Sequence, residues 1–286
     1  MDDCKGDGMK EFKSFFKDVA DRKFNTWCRW TMRLDTYGCG CQHDCKYCYS
    51  KSLLNFRGLW NAAAPAVADL KKIERRIKRL PAGSIVRLGG MTDCFQPCEQ
   101  EHRVTYETIK LLNKYGVGYL IVTKSHIIAE DEYINILRKD LAHVQITVTT
   151  TDDELCKKYE NASPPSKRIA AIEKLQELGF DVSVRLSPYI PEFVDVDKIN
   201  SIKCDKILIE FLKVNQWVRK WFDIDYTAYT VKYGGYYHLP LERKIELASR
   251  ISGYKQVSVG EYVKAHYDYF RGHVNYNPED CCNLRL

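Results

Sequence analysis

No stretch of about 18 apolar residues occurs anywhere in this 286-residue chain, which excludes a membrane-spanning helix. The first twenty residues, MDDCKGDGMKEFKSFFKDVA, lack the basic start, apolar centre and small-residue cleavage site of a secretory signal, so a cytoplasmic protein with no membrane partner is expected. No fixed-period repeat and no low-complexity linker interrupts the chain, which sets aside solenoid and disordered architectures. Cysteine, by contrast, is plentiful. In a reducing compartment the twelve cysteines are expected as thiols or metal ligands, not as a disulfide framework. With 45% hydrophobic and 29% charged residues, the chain can bury a large core in one big α/β domain or two small ones.

Short β-branched runs recur at 84–88, 118–123, 144–149, 181–186 and 206–212, each preceded by a segment of helical period. A further strand is expected within TWCRWTMRLDTYG, so about six βα units precede residue 215. That repeat predicts a parallel, barrel-like sheet, closed or partly closed, over residues 26–213. Residues 1–25 are an N-terminal segment. Residues 214–286, rich in aromatics and without a clean period, are a C-terminal extension expected to lie over the barrel mouth.

The stretch YGCGCQHDCKYCYS, residues 37–50, follows the first expected strand, on the edge where parallel α/β sheets collect their chemistry. It places Cys41, Cys45 and Cys48 at the spacing Cys-x3-Cys-x2-Cys, with Cys39 upstream and Tyr47 and Tyr49 on either side of the last cysteine. Three thiolates so close together can surround one inorganic centre, and thiolate-only ligation favours zinc or iron–sulfur over magnesium or calcium. Zinc requires four ligands; Cys45, Cys48, Cys94 and Cys98 would supply them in a zinc-stabilised nucleic-acid-binding protein without catalysis. Three ligands to a four-iron cluster leave one iron open for a substrate or cofactor. The spacing fits that catalytic arrangement better than a zinc knuckle.

The same loop resembles the signature of the radical S-adenosylmethionine (SAM) superfamily. The stretches TKS at 123–125 and TVTTTDDELCKKYENASPPSKRIAAIEKLQELGFDVSVRLSPYI at 147–190 resemble the spore photoproduct lyase group, over roughly residues 30 to 192 in all. The resemblance implies a partial (β/α)6 barrel, a [4Fe-4S] cluster on Cys41, Cys45 and Cys48, and SAM bound at the open iron. It further implies an electron donor such as flavodoxin or ferredoxin, and a 5′-deoxyadenosyl radical that abstracts hydrogen from an organic substrate, by analogy a nucleic acid or nucleotide. Carried over by position, Lys124 and Thr149, at the ends of the third and fourth expected strands, are SAM-binding candidates. Gly89 and Gly90 resemble the segment that lets the backbone approach the cofactor's amino group, and Asp93 either orients substrate or cofactor or caps a turn. Tyr47 and Tyr49 match two site tyrosines of the lyase group, one of which relays hydrogen atoms; Tyr47 also fits an aromatic that packs on adenine across the superfamily.

One position departs from that group. Where the lyase places a hydrogen-donating cysteine after its second strand, this chain has Met91, with Cys94 three positions on. Either Cys94, on the barrel rim, has taken over the donation or the reaction is different. The basic run at 71–80 carries the apolar stripe Leu70, Ile73, Ile77 and Leu80, so it is expected as a barrel-packing helix with a cationic outer face. Aromatic and basic residues from Trp217 to His238 form either a base-stacking surface or a small core over the mouth. Adjacent Cys281 and Cys282 are open to redox, metal-binding or site-covering roles.

Overall fold

A computed structural model describes residues 12–17, 29–30 and 32–285. The apolar runs assemble into one eight-stranded sheet in sequence order. Its strands are β1 (Phe15–Lys17), β2 (Met32–Leu34), β3 (Ile85–Leu88), β4 (Gly118–Thr123), β5 (Ala142–Thr147), β6 (Asp181–Tyr189), β7 (Lys206–Phe211) and β8 (Gln256–Val259). From β2 to β8 every pairing is parallel, and β1 adds an antiparallel edge. Since β1 and β8 are the two free edges, the barrel is partial.

Six of the seven parallel strands lie where the βα repeat predicts them. The seventh, β8, comes from the aromatic extension and pairs with β7 (Val257 opposite Ile207), so residues 214–286 help to build the sheet as well as flank it. Strand β5 begins two residues before the expected 144–149, because Ala142 and His143 pair with Tyr119 and Leu120. Most of the N-terminal segment 1–25 lies outside the described residues. Among the described residues no helix is long and apolar enough to cross a membrane.

Helices α1 (Tyr49–Phe56), α2 (Leu70–Ile77), α3 (Val104–Lys114) and α4 (Pro165–Glu177) connect the strands. The stripe expected on the basic run is real: Ile73 and Ile77 of α2 join Ile109, Leu112, Ile172 and Leu175 in one core with Val86, Ile121, Val144, Val184 and Ile207 of the sheet. Residues in register across parallel strands share a face, and successive residues alternate faces. The pairings Arg33 with Arg87, Gln145 with Ser183 and Arg185 with Leu208 therefore put these side chains, and Glu210 two residues on, opposite the helices. In a flat sheet Arg87 on β3 and Glu210 on β7 would be four strands, roughly 19 Å, apart. Yet Arg87 contributes to holding the Glu210 carboxyl down, as curling of the sheet requires.

The concave face is thus polar, unlike the branched aliphatic filling of a closed β/α barrel. Leu120, Leu208 and Cys282 form a small separate apolar cluster on it. The chain's last residues are tied to the amino ends of β6 and β7: Lys206 Nζ donates to the Asn283 carbonyl (2.5 Å) and the Arg285 amide to Asp181 Oδ2 (2.8 Å). Cys282 therefore belongs to a plug at the end of the barrel opposite the cysteine loop, which removes the site-covering role considered for it.

Candidate active site

Cys41, Cys45 and Cys48 are free thiols on the loop that leaves β2, and this loop is held from several sides. The Lys46 amide donates to the Tyr159 carbonyl (2.9 Å) and the Asn161 amide to the His43 carbonyl (2.7 Å). Gln42 bridges to the loop after β3: its amide donates to Gln96 Oε1 (2.8 Å) and its Oε1 accepts the Cys98 amide (2.6 Å). Gly40 sits where a Cβ would fall 1.8 Å from the Asn61 carbonyl oxygen, so no other residue fits there. Cys48 caps α1, its Sγ accepting the Lys51 amide (3.5 Å). Cys39 is disulfide-bonded, against the expectation of thiols throughout, and is not among the free thiols.

The loop after β3 is organised by two buried carboxylates, only one of which the sequence pointed to. Asp93 accepts from Thr123 Oγ1 (2.7 Å), the Phe95 amide (2.9 Å) and the Lys124 amide (2.7 Å). Its Oδ2 also lies 3.3 Å from His43 Nε2, close enough for charge though misaligned for a hydrogen bond. Burial would raise this carboxyl, but His43 and the two amides outweigh it and hold it at about 2. Asp93 is thus more than a cap, since it joins the cysteine loop to the end of β4.

Asp35, just past β2, was missed; its strand-end position was the available signal. Asp35 Oδ1 accepts the Gly90 amide (2.6 Å) and Oδ2 the Met91 amide (2.9 Å), fixing the segment named for cofactor approach. Gly89 has φ +83°, and a Cβ on it would meet the Val122 carbonyl oxygen at 2.4 Å, so glycine is required there for a backbone reason. Burial pushes the Asp35 carboxyl up to about 7, against the pull of the Met91 and Gly90 amides and Arg33. In the unfolded chain an aspartate titrates near 4. Asp35 therefore contributes its full stability below about pH 4 and loses it as the pH climbs to about 7. The melting temperature is expected to carry this falling component between pH 5 and 7, and Asp35→Asn, which has no proton to lose, to flatten it; an unchanged slope would contradict the assignment.

Around Cys45 lies a buried polar cluster. The Tyr47 hydroxyl donates to Glu160 Oε2, and Arg168 Nη2 pairs with Glu160 Oε1 at 2.5 Å, both partners fully buried. Burial would raise Glu160, yet Arg168 and Lys124 hold it at about 2. Thr149 lies two residues past β5 instead of on its end, and its hydroxyl is engaged by Tyr159 (3.0 Å) and Glu160 (3.3 Å). The position expected for a SAM contact is therefore occupied by a contact within the protein. Glu160 and Arg168 carried no sequence signal, because nothing local marks a glutamate and an arginine eight residues apart as a buried pair.

Lys124 ends β4 as expected. Its Nζ lies 5.6 Å from the Tyr47 ring centroid and makes no hydrogen bond or ion pair among the described residues. Burial works to lower its pKa, but Cys45 and Glu160 outweigh it and keep the ammonium charged. Tyr49 is 40% exposed, so it is not a core residue, and its hydroxyl donates to the Gly90 carbonyl (2.5 Å). Cys94 is the clearest correction. Expected on the rim, it is fully buried in the main core, where burial, then Asp93 and Glu99, push its thiol well up. It packs as a small hydrophobe.

Three free thiols, Cys41, Cys45 and Cys48, thus lie on a strand-end loop at the mouth of an open parallel barrel. Residues 36–203, more than half of the chain, match the family model of the radical SAM superfamily, and the chain belongs to that superfamily. It is 28% identical over 164 residues to an uncharacterized protein of Methanocaldococcus jannaschii, covering 56% of this chain and 61% of that protein. It is 24% identical over 168 residues to an uncharacterized protein of Acidianus two-tailed virus, covering 54% and 55%. The chain thus spans less than two thirds of the length of the curated relatives it matches. Its fold is similar to that of spore photoproduct lyase complexed with dinucleoside spore photoproduct (TM-score 0.59, 14% identity, 85% of this chain and 80% of that one). It is also similar to methylornithine synthase (TM-score 0.54, 15% identity, 84% and 67%).

The superfamily implies a [4Fe-4S] cluster and SAM; free thiols are the donor type such a cluster takes, although the described residues hold no preformed group of three metal ligands. Burial pushes the Cys41 and Cys45 thiols up, with Asp93 adding to the first and Glu160 to the second. Such thiols ionise on binding a cationic centre, whose charge reverses that preference. The charged, unpaired Lys124 beside Cys45 suits the thiolates or a carboxylate.

Proposed function

We propose that this protein binds the cluster through Cys41, Cys45 and Cys48, binds SAM beside it, and acts on an organic substrate of the nucleotide or nucleic-acid class seated in the barrel. Cys41, Cys45 and Cys48 would hold the cluster, which, with an electron donor such as flavodoxin or ferredoxin, would supply the electron for reductive cleavage of SAM. The observation that carries this reading is the Lys124 ammonium, charged and unpaired at the end of β4 beside Cys45 and over Tyr47. It is suited to a carboxylate such as that of SAM. Gly89, Gly90 and Asp35 hold the backbone open on the next strand end, Asp93 fixes the spacing between the two, and the Glu160–Arg168 pair orients Tyr47.

The fold's likeness to spore photoproduct lyase supports a nucleotide-like substrate, as do the tyrosines near the mouth. The chemistry on that substrate differs from the lyase's in this reading: Met91 has no weak S–H bond from which to give a hydrogen atom to a carbon radical, and Cys94 is buried in the core. Anaerobically reconstituted protein with dithionite and SAM should form 5′-deoxyadenosine and carry iron and sulfide. Colourless protein with stoichiometric zinc would overturn the proposal.

Lys124→Ala should leave iron content intact and weaken SAM binding by roughly ten-fold or more, the loss of one charge-assisted hydrogen bond of about 1.5–3 kcal/mol. Calorimetry showing unchanged affinity would remove Lys124 from the SAM site.

A further inference from the structure

A groove lies beside the cysteine loop and outside the lumen, for none of the residues that line it belongs to a strand of the sheet. Asp44, Lys46 and Lys51 form one wall, Lys157, Lys158 and Glu160 the other, and Trp221 completes the lining. The walls are tied together by the Lys46 amide on the Tyr159 carbonyl and the Asn161 amide on the His43 carbonyl. The carboxylates are taken. Asp44 pairs with Lys51 (2.8 Å) and Glu160 with Arg168 (2.5 Å). Beside the groove, Glu154 pairs with Lys157 (2.5 Å), Asp152 accepts the Glu154 and Leu155 amides (2.8 and 2.9 Å), and Asp153 accepts from Ser166 Oγ (2.6 Å). Lys46 and Lys158 are both exposed, and neither side chain makes a hydrogen bond or ion pair among the described residues.

A solvated lysine needs no partner, so these two decide nothing alone. The position of the groove does. Glu160 Oε2, in its wall, lies 3.8 Å from Cys45 Sγ, and Lys46 stands in the chain between Cys45 and Cys48. One side chain therefore separates the groove from the innermost thiol of the loop, since Cys45 is buried while Cys41 and Cys48 are half-buried. A protein that delivers electrons to a centre on these thiols is too large for the lumen, so it has to dock on the outer surface where the wall is thin. Positive potential at such a spot steers an acidic partner into register, and a transient electron-transfer contact needs little buried area. Trp221, with Lys51 Nζ 5.0 Å from its ring centroid, adds a flat apolar surface to the basic one.

We propose that this groove is the docking surface for the electron donor, an acidic one-electron carrier protein whose carboxylates meet Lys46, Lys157 and Lys158 and whose flavin or iron–sulfur group comes to rest against the Glu160 wall. The carrier gives up one electron and the centre held by Cys41, Cys45 and Cys48 gains it; no bond forms or breaks and no proton moves. The inference rests on the radical reading of the site, and it adds the face by which the reductant is received.

The test measures binding first. Anaerobically reconstituted protein is titrated by calorimetry with an acidic flavodoxin, and separately with an acidic ferredoxin, at about 50 and about 300 mM salt. Saturable binding of at least one carrier, weakened roughly ten-fold or more at the higher salt, is the expected result. Lys157→Glu combined with Lys158→Glu, at exposed positions off the cysteine loop, should weaken it roughly ten-fold further and slow carrier-driven deoxyadenosine formation in proportion. Formation driven by dithionite, a small reductant that needs no docking, should be unchanged in that variant. Lys110→Glu combined with Lys114→Glu, on α3, alters the net charge equally and should leave carrier binding as in wild type. No saturable binding of either carrier, binding indifferent to salt or to the groove variant, or an equal loss in the α3 variant would each overturn the proposal. A single-stranded oligonucleotide that binds where neither carrier does, and loses affinity in the groove variant, would make the groove a nucleic-acid surface and overturn it too. Dithionite-driven deoxyadenosine formation reports separately on the radical reading. Protein that forms it but binds neither carrier refutes the docking groove alone, and protein that takes up no iron and sulfide refutes the reading beneath it.

Discussion

Alanine at Cys45 is expected to abolish iron binding and deoxyadenosine formation together, and alanine at Cys41 or Cys48 to do the same. Each would remove one of the three proposed ligands, and two neighbouring cysteines are poorly placed to substitute: Cys39 is disulfide-bonded, and Cys94 is buried in the core. The fold should survive in all three variants, because the loop is held by Gln42, Asn161 and the Lys46 amide; of the thiols only Cys48 makes a structural contact, one weak cap to the Lys51 amide (3.5 Å). Iron and sulfide analysis with the visible spectrum of each variant checks this. A Cys45→Ala protein that kept a full, redox-active cluster would show that the ligand set is wrong.

Replacing Arg168 with methionine should cost about 3–5 kcal/mol of stability, the usual penalty for leaving a buried charge without its partner. In a chain of this size that is a fall in melting temperature on the order of 10 °C. The magnitude follows from geometry: Arg168 and Glu160 are both completely shielded from solvent, and Arg168 also donates to the Thr147 carbonyl (3.1 Å). The double variant Arg168→Met with Glu160→Leu should recover most of the loss, because no charge then stays buried. Denaturant titration of wild type, single and double variants measures both effects. A single variant as stable as wild type would mean that the pair does not support the fold. Since Glu160 holds the Tyr47 hydroxyl, the single variant should also weaken SAM binding if Tyr47 packs against the cofactor.

The strand pattern shows how far local sequence reaches. Residues 118–123, 181–186 and 206–212 were legible because a parallel strand buried on both faces is a short, continuous β-branched run, and that is a local property. Strand β8 was not: Gln256–Val259 is four residues long and sits within an aromatic-rich stretch, and only its pairing with β7 makes it a strand. The two-residue offset of β5 has the same origin, since register is set by the neighbouring strand and not by the run itself.

The cysteine loop, the Gly89–Gly90 turn and Lys124 could be read from the sequence by itself. Their positions follow from spacing along the chain and from the ends of predicted strands, while the roles proposed for Gly89, Gly90 and Lys124 come from the family resemblance. Only the tertiary structure decided that Cys94 is core and not rim, that Thr149 is engaged by Tyr159 and Glu160, and that Asp35, Glu160 and Arg168 belong with the site. The physical reason is that burial and charge pairing are long-range: whether a thiol meets solvent, or a carboxylate meets an arginine, depends on which strands curl past one another. The polar lumen is the fullest case, for Arg33, Arg87, Gln145, Arg185 and Glu210 are scattered over nearly 180 residues and come together only because the sheet bends.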